Sequence, residues 1–119
     1  MIDTRMGEVE SRFADIIWEN GPINSGVLAQ LAEEKLGWKK STTYTILKRF
    51  CQKGIFQNEK GVVSALVTKE EFRALQSEKI VEESFGGSLP AFLAAFSSRK
   101  KLTEDEIAQL QRVIDSMRG

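Results

Sequence analysis

The stretch WKKSTTYTILKRFCQKG, residues 38–54, decides the fold of this chain. Its apolar residues recur at helical spacing, which predicts an amphipathic helix with one buried side. That buried side consists of Thr43, Ile46, Leu47 and Phe50. Ser41 is a good residue for the N-cap, and Gly54 can end the helix because glycine tolerates the left-handed conformation. The other side of this helix carries small, aromatic and basic side chains.

Basic charge is concentrated in the same region, although the chain as a whole is neutral. The 119 residues contain 17 Lys and Arg against 17 Asp and Glu. Residues 35–60 have a net charge of +6, residues 1–34 have −5 and residues 61–119 have −1. A basic helix in a neutral chain predicts a surface that binds a polyanion, and double-stranded DNA is the first candidate.

The composition argues against several kinds of chemistry. The chain has no His and a single cysteine, Cys51, so it lacks the commonest general base and cannot form a four-thiolate zinc site. It has no GxxxxGK[ST] or GxGxxG loop. We therefore expect no enzyme activity, no metal and no cofactor. The lone cysteine, and the lack of an apolar leader or a long apolar run, predict a cytoplasmic protein with no signal peptide and no membrane span.

Two further helices are predicted before this stretch. The first spans residues 6–19 and ends at Asn20-Gly21-Pro22, because proline cannot continue a helix. Its apolar face is expected to contain Val9, Phe13, Ile16, Ile17 and Trp18. Asn24 or Ser25 can cap the second helix, which ends at Gly37. The buried residues expected there are Val27, Leu28, Leu31 and Leu36.

A β-hairpin is predicted after the basic helix. Residues 55–58 and 62–68 favour strands, and Gly61 allows the positive φ that a tight turn requires. Three helices followed by a hairpin are typical of the winged helix-turn-helix, whose third helix enters the major groove of DNA. The predicted fold is mostly α with a small β-hairpin, as a winged helix-turn-helix plus a C-terminal helical domain.

The remainder of the chain is predicted to be helical. Thr68 opens a capping box, Gly86-Gly87 interrupts the helix, and Ser88-Leu89-Pro90 begins a short apolar helix. Residues 97–101 are expected to form a polar loop, and Thr103 opens a second capping box. The last helix is expected to turn one set of apolar side chains inward: Ile107, Leu110, Val113, Ile114 and Met117.

The third helix and the hairpin turn contain the candidate DNA contacts. Short or flat side chains let a helix approach base edges, and their hydroxyl groups can bind bases or phosphates. The residues expected to face bases or nearby phosphates are Ser41, Thr42, Tyr44 and Thr45. Those expected to hold the DNA backbone are Lys39, Lys40, Lys48, Arg49 and Lys60. The alternatives are a merely solvated helix face, or a winged-helix module that binds protein and not an operator.

Three segments resemble the penicillinase-repressor family, the BlaI/MecI group of bacterial transcriptional repressors. They are IIWENGPIN (16–24), WKKSTTYTILKRFCQKG (38–54) and GGSLPAFLAAFSSRKKLTEDEIAQLQRVID (86–115). The resemblance implies a homodimer on a palindromic operator near antibiotic-resistance or stress-response genes. It also implies a DNA-binding domain at residues 1–68 and a dimerisation domain at residues 69–119.

The resemblance implies that the C-terminal helices pair with those of a second copy. A segment this short and this rich in Phe and Leu is too small to bury its own apolar faces, which agrees with that expectation. The alternative is a core within one chain. The residues expected at the dimer interface are Leu89, Phe92, Leu93, Phe96, Ile107, Leu110 and Ile114.

The chain departs from the family pattern at several positions. Val62 and Leu66 stand where the family commonly has Arg and Tyr in the wing, which leaves Lys60 as the expected wing cation. The resemblance implies a sensor protease as a further partner, and the bond matching the family's Asn-Phe cleavage site is Ala95-Phe96. The paired CxC motifs of the copper-responsive branch are absent, and Cys51 is expected to be a small buried hydrophobe.

Overall fold

The computed structural model describes residues 2–118. Within them the chain forms helices with short strands between, in the order the pattern predicts. The helices are α1 (Glu8–Asn20), α2 (Ser25–Leu36), α3 (Lys40–Gln52), α4 (Lys69–Phe85), α5 (Leu89–Arg99) and α6 (Glu104–Ser116). The strands are β1 (Ile23–Asn24), β2 (Phe56–Glu59) and β3 (Val62–Ala65). The predicted fold class, mostly helical with a winged helix-turn-helix, is confirmed.

The wing is a hairpin to which a third, unpredicted strand is added. The sheet is antiparallel in the order β1-β3-β2, with Ile23 opposite Val63 and Phe56 opposite Ala65. Lys60 and Gly61 form the turn, and both have positive φ, of 52° and 84°. Two central residues with positive φ match the right-handed twist of the flanking strands. β1 was not predicted, because a strand of two residues is too short to show an alternation of apolar and polar side chains.

The described chain packs into two compact units, Met1–Ser77 and Glu78–Gly119. The first unit contains the buried core, formed by one side of each of its helices and the inner side of the sheet. Phe13, Phe50 and Phe56 are fully buried, and their ring centroids lie 5.6 Å apart in successive pairs. Burial of apolar side chains is the dominant favourable term in folding, and aromatic rings contribute a large buried area each.

The first unit includes the beginning of α4, beyond residue 68. Phe72 is buried, and its ring lies 5.5 Å from that of Trp18. Lys69 forms an ion pair of 3.0 Å with Asp15, and Gln76 donates a hydrogen bond to the carbonyl of Thr4. The predicted capping box is present, because Thr68 and Glu71 exchange both hydrogen bonds. These contacts attach the first turns of α4 to the winged helix.

The second unit consists of the end of α4 with α5 and α6. Gly86 and Gly87 both have positive φ, which explains the predicted break. Ser88 caps α5, and Thr103 and Glu106 form the predicted capping box of α6. The rings of Phe85 and Phe92 meet edge to face at 5.4 Å. No side chain of α5 or α6, both described in full, is buried within the chain.

Several local predictions were wrong. Lys39, and not Ser41, occupies the N-cap of α3, and its side chain makes no capping hydrogen bond. Val9 is exposed because it lies at the first turn of α1, beyond the core, and Val27 is exposed because it lies on the side of α2 opposite the buried Leu28, Ala29 and Ala32. α5 continues through Ser97 and Ser98 to Arg99, where a loop was expected. The apolar side chains of α6 do not face a core within this chain, because most of them are exposed.

No helix within residues 2–118 is long and apolar enough to cross a membrane.

Candidate nucleic-acid interface

α3 buries one side in the core and exposes the other. Thr43, Leu47 and Phe50 are buried, so the structure largely agrees with the predicted buried side of α3. All nine residues predicted to contact DNA have exposed side chains. They are Lys39, Lys40, Ser41, Thr42, Tyr44, Thr45, Lys48, Arg49 and Lys60. Residues 40–52 include no Asp or Glu, so no carboxylate of α3 itself opposes an approaching phosphate.

The centre of the exposed surface follows from the spacing of residues along α3. Ser41, Thr45, Lys48 and Gln52 are separated by three or four positions, so they form a single stripe. Tyr44 lies at the edge of this stripe on the side of the wing, next to Leu66 and β2. Arg49 lies at the other edge, on the side of α1. The stripe is long enough for several neighbouring base pairs to be contacted by one helix.

Thr45 has its hydroxyl group already engaged. Its Oγ1 donates a hydrogen bond of 2.9 Å to the carbonyl of Ser41 within the helix. Such back-bonding to the preceding turn is common for threonine. The hydroxyl can then only accept from a ligand, and the methyl group remains available for apolar contact with a thymine methyl. Thr45 therefore offers a ligand an acceptor oxygen and an apolar methyl group.

The N-terminus of α3 is positively charged in two ways. Lys39 and Lys40 stand at its first turn, which contains no acidic residue and has no side-chain cap. The first intrahelical hydrogen bond runs from the N–H of Thr43 to the carbonyl of Lys39, so the N–H groups before it have no helical partner. Cations at this end oppose the helix dipole, which is unfavourable without a ligand. An anion such as a phosphate would bind both the free N–H groups and the lysines.

The wing brings Lys60 to the tip of the hairpin. Its left-handed φ of 52° is unusual for a residue other than glycine and turns the chain between β2 and β3. Asn58 accepts a hydrogen bond from the N–H of Gly61, and the carbonyl of Gly61 accepts one from Ser25 at the start of α2. These bonds attach the turn to α2, so Lys60 projects from an anchored backbone.

Two features of this surface escaped sequence reasoning. Tyr44 and Leu66 line an open groove of about 390 Å³ between α3 and β2, with Lys48 and Cys51 also on its wall. Glu10 of α1 lies against α3, with its Oε2 3.8 Å from Nη1 of Arg49. Neither pairing has a signal in the sequence, because each joins residues from separate elements.

Cys51 lies at the inner edge of the same groove and is only partly buried. Burial raises the pKa of its thiol, against a smaller lowering effect of a hydrogen bond from the backbone of Asn58. A raised pKa keeps the group as an unreactive thiol at neutral pH. The expectation of a small buried hydrophobe therefore holds only in part, since the side chain keeps some exposure.

The second unit carries an open apolar groove between α5 and α6. It has a volume of about 340 Å³, and Phe92, Leu93, Phe96 and Leu110 are among its lining residues. Leu89, Phe96, Ile107 and Ile114 are each exposed by more than two fifths. A contiguous apolar surface of this kind is typical of a face that another protein covers. All seven residues predicted at the dimer interface lie on α5 or α6.

Comparison with protein families identifies the chain. The family model described as Penicillinase repressor matches residues 6–116, which is nearly all of the sequence. The chain belongs to the penicillinase repressor family. This is a family of transcriptional repressors and not of enzymes, so its members regulate transcription.

Curated relatives of this penicillinase repressor family member share modest identity over most of its length. An uncharacterised 16.5 kDa protein from the ptsI 3′ region of Latilactobacillus sakei is 29% identical and covers 83% of this chain and 70% of its own. The penicillinase repressor of Bacillus licheniformis is 19% identical over 93% of this chain and 90% of its own. The methicillin resistance regulatory protein MecI of Staphylococcus aureus is 20% identical over 96% of this chain and 98% of its own.

The departures from the family pattern lie on the surface of this family member. Val62 and Leu66, at the positions where Arg and Tyr are common in the family, are both exposed on or beside β3. Ala95 and Phe96, the residues of the predicted cleavage bond, are exposed within α5. Proteases bind extended backbone, so cleavage at this bond requires at least one turn of α5 to unwind.

Proposed function

We propose that this chain is a DNA-binding repressor that acts as a homodimer on a palindromic operator. The observation that carries the proposal is the exposed surface formed by α3 and the turn of the wing, referred to here as the α3–wing surface. It contains five cations, two at the N-terminus of α3, two in its second half and Lys60 at the turn. Membership of a repressor family supports the same conclusion.

In this proposal α3 is the recognition helix and lies in the major groove. Ser41, Thr42, Tyr44 and Thr45 face the bases or the phosphates next to them. The lysines at the first turn of α3 bind one phosphate backbone, and Lys48 with Arg49 binds at the other end of the helix. Lys60 binds the phosphates beside the neighbouring minor groove. With few or no wing contacts from Val62 and Leu66, α3 supplies most of the affinity.

The apolar surface of the second unit supports the proposed dimer. A homodimer with twofold symmetry covers identical faces on both copies and puts two winged helices on two half-sites. α5 and α6 leave large apolar side chains exposed, which a second copy would remove from water. Repression is then steric, because a dimer on a promoter blocks RNA polymerase. A repressor of this kind acts in the cytoplasm, where the chromosome lies.

The regulated genes are proposed from the relatives alone. Two of them are named for penicillinase repression and for methicillin resistance. We propose an antibiotic-resistance or stress-response operon for this chain. Release from the operator would follow cleavage by a sensor protease at Ala95-Phe96. Incubation of the protein with a candidate sensor protease from a neighbouring gene should give fragments 1–95 and 96–119 by mass spectrometry, and an uncut chain would contradict this step.

The alternative is a winged-helix module that binds protein. The exposed apolar side chains of Tyr44, Val62 and Leu66 around the wing favour it. Fluorescence anisotropy with short duplexes from the region upstream of its own gene separates the two functions. A repressor binds one of these duplexes, and its affinity falls steeply between about 50 and 200 mM salt. Absence of binding at the lower concentration would support the protein-binding module.

A further inference from the structure

The ion pair between Glu10 and Arg49 connects α1 to the edge of the α3–wing surface. Glu10 Oε2 lies 3.8 Å from Arg49 Nη1. The Arg49 side chain keeps 51% of its surface exposed, whereas that of Glu10 keeps only 25%. The pair therefore joins a sheltered carboxylate to a guanidinium that still faces solvent.

Glu10 depends on Arg49 for its counter-charge. Its Oε2 atom is buried and makes no hydrogen bond to any residue between 2 and 118. A buried carboxylate oxygen without a hydrogen bond is unfavourable unless an opposite charge lies close to it. Arg49 is the cation that forms an ion pair with it in the described chain. The guanidinium is consequently drawn to the α1 side of α3 and is not free to sample the whole surface.

Arg49 retains the means to bind a second anion from this position. A guanidinium has five N–H donors in one plane, so it can contact one oxygen anion on one edge and another on the opposite edge. Arg49 follows Thr42 by seven positions, which puts the two on the same edge of the exposed surface. A phosphate passing this edge would meet a guanidinium that is already oriented.

We propose that Glu10 is a positioning residue for DNA binding, which orients the Arg49 guanidinium toward an operator phosphate without touching DNA itself. The inference rests on the proposed function. Binding then loses less side-chain entropy, because Arg49 is ordered before the phosphate arrives. The competing effect of Glu10 is plain repulsion between its carboxylate and the DNA backbone, and the two effects have opposite signs.

A double-mutant cycle on DNA affinity separates positioning from repulsion. The variants are Glu10→Gln, Arg49→Ala and the double variant, with the upstream duplexes as probe and with melting temperature measured in parallel. Positioning predicts that Glu10→Gln weakens binding about two- to fivefold in the wild-type background and does not weaken it in the Arg49→Ala background. Glu8→Gln removes the same charge from an exposed site on α1 and should not weaken binding.

Several results would overturn the inference. If Glu10→Gln strengthens DNA binding equally in the wild-type and Arg49→Ala backgrounds, the effect of Glu10 is repulsion. If Glu10→Gln lowers the melting temperature and leaves DNA affinity unchanged, the role of Glu10 is purely structural. If Glu10→Gln fails to fold, Arg49→Lys decides the question, because a lysine keeps the charge but lacks the rigid planar fork that orients two anions on opposite edges. The inference predicts weaker binding by Arg49→Lys, and wild-type affinity refutes it. If the wild-type protein shows no salt-sensitive DNA binding, the proposed function is refuted as well. If the wild-type protein binds DNA, Lys48→Ala weakens that binding and the effects of Glu10→Gln and Arg49→Ala are additive, only the positioning role is refuted.

Discussion

Trp18 donates its indole N–H to the carbonyl of Val67 across a distance of 3.0 Å. The bond joins the end of α1 to the segment between the wing and α4. The same indole packs against the rings of Phe56 and Phe72, with centroids 5.1 and 5.5 Å away. One side chain near the end of α1 therefore contacts β2, α4 and the segment between the wing and α4.

Replacing Trp18 with Phe should destabilise the winged helix. The new ring keeps part of the aromatic packing but leaves the Val67 carbonyl without its donor, at a cost of about 1–2 kcal/mol. Urea unfolding followed by circular dichroism measures the change. Trp38→Phe is the matched control, because Trp38 packs on Phe13 at 5.0 Å but its indole makes no hydrogen bond to another described residue. Equal losses of free energy of unfolding in the two variants would contradict a role for the bond.

Lys48 and Thr45 should affect DNA binding in different ways. Lys48→Ala removes a proposed phosphate contact, so binding should weaken on all sequences and the salt slope should fall by about one. Thr45→Ala removes the methyl group that is proposed to lie next to the bases, so discrimination between sequences should fall by about 1 kcal/mol. Anisotropy titrations at several salt concentrations measure both effects.

Lys35→Ala is the control for Lys48→Ala. Lys35 belongs to the same basic segment but lies in the last turn of α2. The Lys35→Ala variant should leave the salt dependence of DNA binding unchanged. If Lys48→Ala and Thr45→Ala both bound like the wild type, the assignment of α3 as the recognition helix would be wrong.

Ile114→Asp should convert the proposed dimer to a monomer. Ile114 is 44% exposed in the single chain, so the substitution costs little within one copy. In the proposed dimer it would bury an unpaired carboxylate, which is strongly unfavourable. Size-exclusion chromatography with light scattering measures the mass. Ala108→Asp adds the same charge about 120° around α6 and should leave the dimer intact.

Glu106 should make the stability of the second unit depend on pH. The backbone N–H and the side chain of Thr103 lower the pKa of the Glu106 carboxyl below its ordinary value of 4.5. A carboxyl whose pKa is lower in the folded state stabilises that state above the ordinary value, and the contribution is lost as the pH falls through the folded value. Unfolding midpoints of Glu106→Gln should therefore depend less on pH in this acidic range.

Gln preserves the geometry of the capping box while removing the charge, so the substitution tests charge alone. Glu104→Gln, in the same turn, is the control, because the Glu104 carboxylate makes no hydrogen bond to another described residue. An identical acid dependence in both variants would show that the Thr103 bonds are not responsible.

Local patterns predicted most of the fold because they depend on nearby residues. The spacing of apolar side chains, the glycines at the turns and the two capping boxes determined the order and type of the helices and of the hairpin. The N-cap of α3 was predicted wrongly. Ser41 was expected there because serine side chains can make a capping hydrogen bond, but Lys39 occupies the position and its side chain makes no such bond. The exposure of Val9 was missed because helical periodicity does not say where the core ends, and that of Val27 because adjacent apolar residues in α2 leave the buried side ambiguous.

The sequence by itself determined the winged-helix class, the basic character of α3 and the set of residues expected on its exposed side, because helical geometry assigns a face to each position. Only the tertiary structure decided that Glu10 lies beside Arg49, that β1 extends the wing and that Phe72 belongs to the first unit. Each of these contacts joins residues distant in the chain. Such pairings arise when separate elements pack together, and no local spacing encodes them.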